Sequence, residues 1–82
     1  MKLVKLFATW CVPCTALGAT LNGINHPLVE SMENVDIDTQ IERAKKYGVR
    51  SVPTMVIVNE QDEVVRSLNG NQPKDKILEF LA

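Results

Sequence analysis

Phe7-Ala8-Thr9-Trp10-Cys11-Val12-Pro13-Cys14 (FATWCVPC) carries both cysteines of the chain. Ahead of it lies an apolar run, Lys2 to Phe7 (KLVKLF), which reads as a buried strand. Behind it Leu17, Leu21 and Ile24 recur at i, i+4 and i+7, the stripe of an amphipathic helix. Thiols three positions apart at the first turn of a helix can bond with little bending of the backbone. Cys11 falls where helix N–H groups are unpaired and the helix dipole is positive, which favours thiolate over thiol. Cys14, a turn further in, gains less and is expected to be the more buried. The pair thus divides into an exposed attacking sulfur, Cys11, and a resolving thiol, Cys14.

Two other uses of the pair are weaker. A permanent staple across so short a loop hardly restricts the unfolded chain. A structural zinc site usually needs four protein ligands, and beyond the two cysteines the chain offers only His26, in a turn before Pro27. No metal is expected. A redox centre is the reading that the spacing and the strand–helix setting support.

The remainder of the chain supplies a frame around that centre. Asn25-His26-Pro27 reads as the end of the first helix, and Val35-Asp36-Ile37 as a short strand. Asp38 or Thr39 is placed to cap a second helix, with Thr39 and Glu42 spaced as a capping box. Ile41, Ala44 and Tyr47 form its apolar stripe and Gly48 its stop. Thr54 to Val58 (TMVIV) reads as a buried strand, Asn59 to Asp62 as a turn, and Glu63 to Leu68 as a hairpin partner. Asn69-Gly70-Asn71 breaks the chain before a last helix, with Pro73 in its first turn and Ile77, Leu78 and Leu81 facing inward. The order βαβαββα makes the first two strands parallel neighbours through a right-handed crossover.

Eighty-two residues fit one domain, residues 1–82, around a single core. A net charge of −1 without any basic block argues against nucleic acid as a primary ligand. The opening MKLVKLFATW is interrupted by Lys5 and lacks a small-residue cleavage site, so it does not read as a signal peptide. No stretch has the length of a membrane span. A cytoplasmic protein without membrane contact is the expectation. In that compartment a cysteine pair is more often catalytic or metal-binding than a permanent bridge.

A second stretch, Tyr47-Gly48-Val49-Arg50-Ser51-Val52-Pro53-Thr54, completes a pattern with Trp10-Cys11-Val12-Pro13-Cys14. Together these resemble the thioredoxin family over essentially the whole chain. The resemblance implies an α/β, thioredoxin-like fold: a four-stranded mixed sheet in order 2-1-3-4 with helices on both faces. The first and last helices would cover one face and the middle helix the other. The family's N-terminal strand and helix have no counterpart here, as in short, glutaredoxin-sized members of the kind found in archaea and phages. Residue by residue, the resemblance makes Cys11 the nucleophile, Cys14 the resolving thiol and Pro53 the cis-proline facing the disulfide. A cis bond at Val52-Pro53 would turn backbone groups toward an extended substrate segment. Trp10, Val52, Pro53 and Gly70 correspond to the apolar rim that receives the target, and Val12 and Pro13 lie in the same substrate-binding surface.

The sequence departs from the family pattern at four places, one of them Val12, which replaces the usual glycine between the cysteines. Lys5 occupies the position of a buried acid, Asn34 that of its partner lysine, and Thr15 that of a lysine after the second cysteine. Lys5 is expected either to stabilise thiolate beside the cysteines or to reach the sheet's end and pair with Glu33 or Asp36.

The implied activity is a thiol–disulfide oxidoreductase that reduces protein disulfides, with no cofactor beyond the Cys11–Cys14 disulfide itself. Electrons would come from a thioredoxin reductase or a low-molecular-weight thiol, and a monomer is expected. A glutathione-dependent, glutaredoxin-type reductase is an alternative. It is weakened by Asn69-Gly70-Asn71-Gln72, which lacks that subclass's Gly-Gly, and by the Trp10-Cys11 start with Pro13 between the thiols, which is more similar to thioredoxin. Pro13 also supplies no N–H to the thiolate, which argues for a reducing rather than a strongly oxidising pair. A redox-independent binding subunit using the same rim is another alternative, and a cluster shared between two chains a weaker one.

Overall fold

Along KLVKLF and TMVIV successive side chains must point to opposite faces of a sheet, because the strand period is two. In the computed structural model, which describes all 82 residues, both faces are apolar and both are covered. The elements run β1 (Lys2–Phe7), α1 (Val12–Asn22), α2 (Pro27–Glu30), β2 (Glu33–Asp36), α3 (Ile41–Lys46), β3 (Thr54–Val58), β4 (Val64–Asn69) and α4 (Lys74–Leu81). They form one four-stranded sheet in order β2-β1-β3-β4. β1 and β2 are parallel, whereas β1–β3 and β3–β4 are antiparallel. This is the mixed 2-1-3-4 sheet expected above.

Alternation divides the core in two. Leu3, Met55 and Ile57 join Leu17 and Leu21 of α1 and Ile77, Phe80 and Leu81 of α4 on one face. Val4, Leu6, Val35, Val56 and Val58 join Ala44 and Tyr47 on the other, under α3. Lys5 falls in the first of these rows, between Leu3 and Phe7, with Met55 and Asn34 as its neighbours across the sheet. A lysine therefore interrupts an otherwise apolar face directly beneath α1.

Several local expectations need correction. The first helix ends at Gly23, before Ile24, rather than at Asn25-His26-Pro27, and a separate single turn, α2, begins at Pro27. His26 caps that turn, its Nδ1 accepting the Leu28 N–H at 3.1 Å, and Pro27 suits the first helical position. The Thr39–Glu42 capping box is absent: Gln40 is the N-cap and makes no side-chain cap bond, and Thr39 Oγ1 lies against the Asp36 carbonyl instead. Ile41 is 53% exposed. It is the first residue of a helix under two turns long that rests on the edge strand β2, and only Ala44 and Tyr47 reach the core. In α4 the buried set is Ile77, Phe80 and Leu81, an i, i+3, i+4 stripe, which turns Leu78 outward. Asn69 remains in β4 as the partner of Thr54, so the break begins at Gly70.

Candidate active site

The strand β1 ends at Phe7, and the chain turns so that Cys11 N–H bonds the Ala8 carbonyl at 3.2 Å. Cys11 is then the N-cap of α1, with extended backbone angles, and Pro13 occupies the first turn, where a missing N–H costs nothing. The Cys11 Sγ accepts the backbone N–H of Cys14 at 3.1 Å, as a serine or aspartate cap oxygen would. Cys11 and Cys14 are joined as a disulfide with their Cα atoms 5.2 Å apart. The helix start thus directs its unpaired N–H groups and the positive end of its dipole at the leading sulfur.

The expected contrast in burial is not present in this disulfide form. Both cysteines are 5% exposed. The Cys11 sulfur is turned back onto the helix end, and the pair packs with Ala8 under Phe7, Ile37 and Val52. What distinguishes the two sulfurs is the N–H donated to Cys11, not their accessible surface.

Around this pair stand three segments that are distant in sequence. Trp10 is 66% exposed and Val12 79%, large apolar groups held in solvent beside the disulfide. The Trp10 indole is fixed by its Nε1–H, which donates to Asp38 Oδ2 at 2.9 Å. Asp38 is in turn placed by an Asx-type turn, its N–H bonding Asp36 Oδ1 at 2.9 Å. The second segment holds Val52, half-buried against the cysteines, and Pro53, buried, with the Val52–Pro53 peptide bond cis. The third holds Gly70, whose N–H bonds the Pro53 carbonyl at 2.7 Å. Gly70 has φ +82°, in the left-handed region that favours glycine, so the bond to Pro53 depends on that residue type. The buried Thr54 hydroxyl bonds the Ser51 carbonyl at 2.8 Å and Asn69 Oδ1 at 3.1 Å, tying the second segment to the third. Pro13 is exposed in the first turn of α1.

The structure thus gathers Cys11, Cys14, Trp10, Val12, Val52, Pro53 and Gly70 at one end of the sheet. Sequence reasoning missed Asp38 as the indole's acceptor and Ala8 and Ile37 as packing partners of the disulfide. Asp38 and Ile37 lie far along the chain from the residues they meet, so no local spacing marks them, whereas Ala8 meets the pair through the turn in which its carbonyl accepts the Cys11 N–H.

Lys5 does neither of the things its end-of-sheet expectation required. Glu33 is taken by Lys2 and Arg43, and Asp36 by the Asp38 N–H, so Lys5 pairs with neither. Instead its ammonium stays under α1, half-buried, 5.9 Å from the centre of the Phe7 ring. Burial lowers its pKa from the ordinary lysine value. It lines a cavity of about 340 Å³ together with Phe7, Ala8, Thr9, Cys14, Thr15 and Gly18.

No group of three or more His, Cys, Asp or Glu side chains is arranged to hold a metal ion. No helix is long and apolar enough to cross a membrane.

Comparison with known proteins gives a consistent picture. The family model described as Thioredoxin matches residues 1–82. The thioredoxin of Bacillus subtilis is 31% identical over 81 residues, covering 96% of this chain and 77% of that protein. The thioredoxin of Chlamydia trachomatis is 33% identical over 83 residues, covering all of this chain and 80% of its relative. Among solved structures, Malassezia sympodialis thioredoxin superposes with a TM-score of 0.78 at 26% identity, over 96% of this chain and 70% of that one. Fasciola hepatica thioredoxin gives 0.78 at 29%, over 94% and 73%.

Proposed function

This chain belongs to the thioredoxin family and is a thiol–disulfide oxidoreductase; from that premise we propose that Cys11 and Cys14 reduce disulfides in protein substrates. The observation that carries the reading is the Cys11–Cys14 disulfide at a helix start, with the leading sulfur accepting the Cys14 N–H. In the reduced protein that donor and the helix dipole stabilise a Cys11 thiolate.

The thiolate attacks one sulfur of the client's disulfide along the S–S axis. The client's S–S bond breaks, a Cys11–client disulfide forms, and the released client sulfur takes a proton from solvent. The client strand lies against Val52 and Pro53, with Trp10, Val12, Pro13 and Gly70 completing the apolar rim. Cys14 then loses its proton and attacks the Cys11 sulfur. The mixed disulfide breaks, Cys11–Cys14 forms, and the second client sulfur leaves and is protonated. Two electrons and two protons pass to the client, and no dissociable cofactor takes part.

Oxidised protein returns to the dithiol by taking two electrons from a thioredoxin reductase or a low-molecular-weight thiol. The working form is a cytoplasmic monomer. The test is Cys14→Ser: removing the resolving thiol is expected to convert turnover into stable one-to-one mixed disulfides with protein clients through Cys11. These would be read as reductant-sensitive adducts on non-reducing gels. Failure to trap any client, with Cys11 shown to be reactive, would overturn the reading.

A further inference from the structure

The cation beneath α1 is unused by the mechanism just given, and its surroundings are specific. Lys5 Nζ lies 3.5 Å from the point where a side chain on Gly18 would begin. Gly18 follows Cys14 by four residues and so shares its helix face, one turn away. Lys5 has Met55 and Asn34 beside it across the sheet, and it lines two cavities with residues that include Phe7, Thr15, Gly18, Val29 and Met32 as well as Cys14. None is charged. The ammonium enters none of the four ion pairs in the molecule. The cavity it shares with Cys14 is open, which gives the thiol's proton a way to solvent.

We propose that Lys5 is a positioning residue for the resolving step, an unpartnered positive charge that stabilises the Cys14 thiolate from below the helix. The inference rests on the redox reading above and deepens it. Where a carboxylate at this place would take up the proton of the second thiol, an ammonium acts on the product of that ionisation. Cys14 releases its proton to solvent, and the field of Lys5 favours the anion left behind. That anion then displaces the client from Cys11. The lowered pKa of Lys5 agrees with a cation that has no anionic partner while the cysteines are joined.

The test titrates Cys14 alone. In a Cys11→Ser background, thiolate absorbance is followed against pH with Lys5 intact, as Lys5→Met, as Lys5→Gln and as Lys5→Arg. A nearby opposite charge lowers a pKa by roughly one to three units; Lys5 shares an open cavity with Cys14 and is only half-buried, so the expectation is taken at the low end. Lys5→Met and Lys5→Gln are therefore each expected to leave about tenfold less Cys14 thiolate at neutral pH, with Lys5→Arg close to the parent. Two neutral replacements of different polarity keep the test readable if one of them fails to fold. Superimposed curves for the parent and the neutral variants would overturn the inference. So would a Lys5→Arg curve that follows the neutral variants, since packing rather than charge would then be responsible. The titration needs no client, so loss of the proposed reductase activity and loss of this inference are read separately.

Discussion

The two sides of the sheet treat charge in opposite ways. Under α3, charged and phenolic groups are joined in one network. Glu33 receives Arg43 and Lys2, Arg43 also donates to the Tyr47 hydroxyl at 2.9 Å, and Tyr47 donates to Asp62 at 2.7 Å. Lys46 reaches the same Asp62 at 2.7 Å. The chain of contacts ties β2, α3 and the β3–β4 turn together. Its electrostatic signature is uniform: hydrogen bonds from Arg43 and then Lys2 hold the Glu33 carboxyl down to about 2, and those from Lys46 and Tyr47 lower Asp62. Arg43 is raised in turn, first by Glu33. Under α1, Lys5 stands alone beside the cysteines. Partnered charge contributes to stability and has little left to give a reacting group, whereas an unpartnered charge in a partly desolvated place adds nothing to stability and is available to a thiol.

Three experiments probe the contrast. The largest effect belongs to Arg43→Ala, which removes both the forked contact to Glu33 and the bond to Tyr47. Because these groups are partly solvated, the expected loss is about 1 kcal/mol, measured as a fall in the denaturant midpoint. The Cys14 titration should not move, since the network lies on the other side of the sheet.

A smaller effect appears with acid. The Glu33 carboxyl ionises more readily in the folded chain than in the unfolded one, so its contribution is complete above its ordinary value of 4.5. It is lost as the pH falls from there towards about 2. Denaturant midpoints across that window should decline by the equivalent of at most about 1 kcal/mol from this group. The decline should flatten in Arg43→Ala. The smallest effect is that of Lys46→Ala: the pair is exposed, and Tyr47 still holds Asp62, so thermal unfolding should be indistinguishable from the parent.

Much of this arrangement is legible in the sequence, and the reasons are particular. KLVKLF and TMVIV announce buried strands because both of their faces are apolar, and a lysine in the middle of the first marks the one position where the pattern is broken. The FATWCVPC stretch places a proline and two thiols at a helix start by local rules alone. What escaped was set by tertiary placement. Ile41 satisfies the α3 stripe but stands at the end of a helix too short to seat it. Leu78 and Phe80 are both apolar and one helical step apart from correct and incorrect stripes, so only the sheet beneath α4 decides between them. Asp38 reads as a helix cap, yet the nearby indole takes its carboxylate. In each case the local signal is satisfied by more than one partner, and the choice is made by residues far along the chain.

The tethered indole has a practical consequence. Trp10 is the sole tryptophan, its ring is anchored through Asp38, and it adjoins Cys11. Disulfide sulfur accepts an electron from excited indole, so opening the bond should brighten the emission of this one fluorophore. A reductant titration read by that emission would then follow the oxidation state without a label.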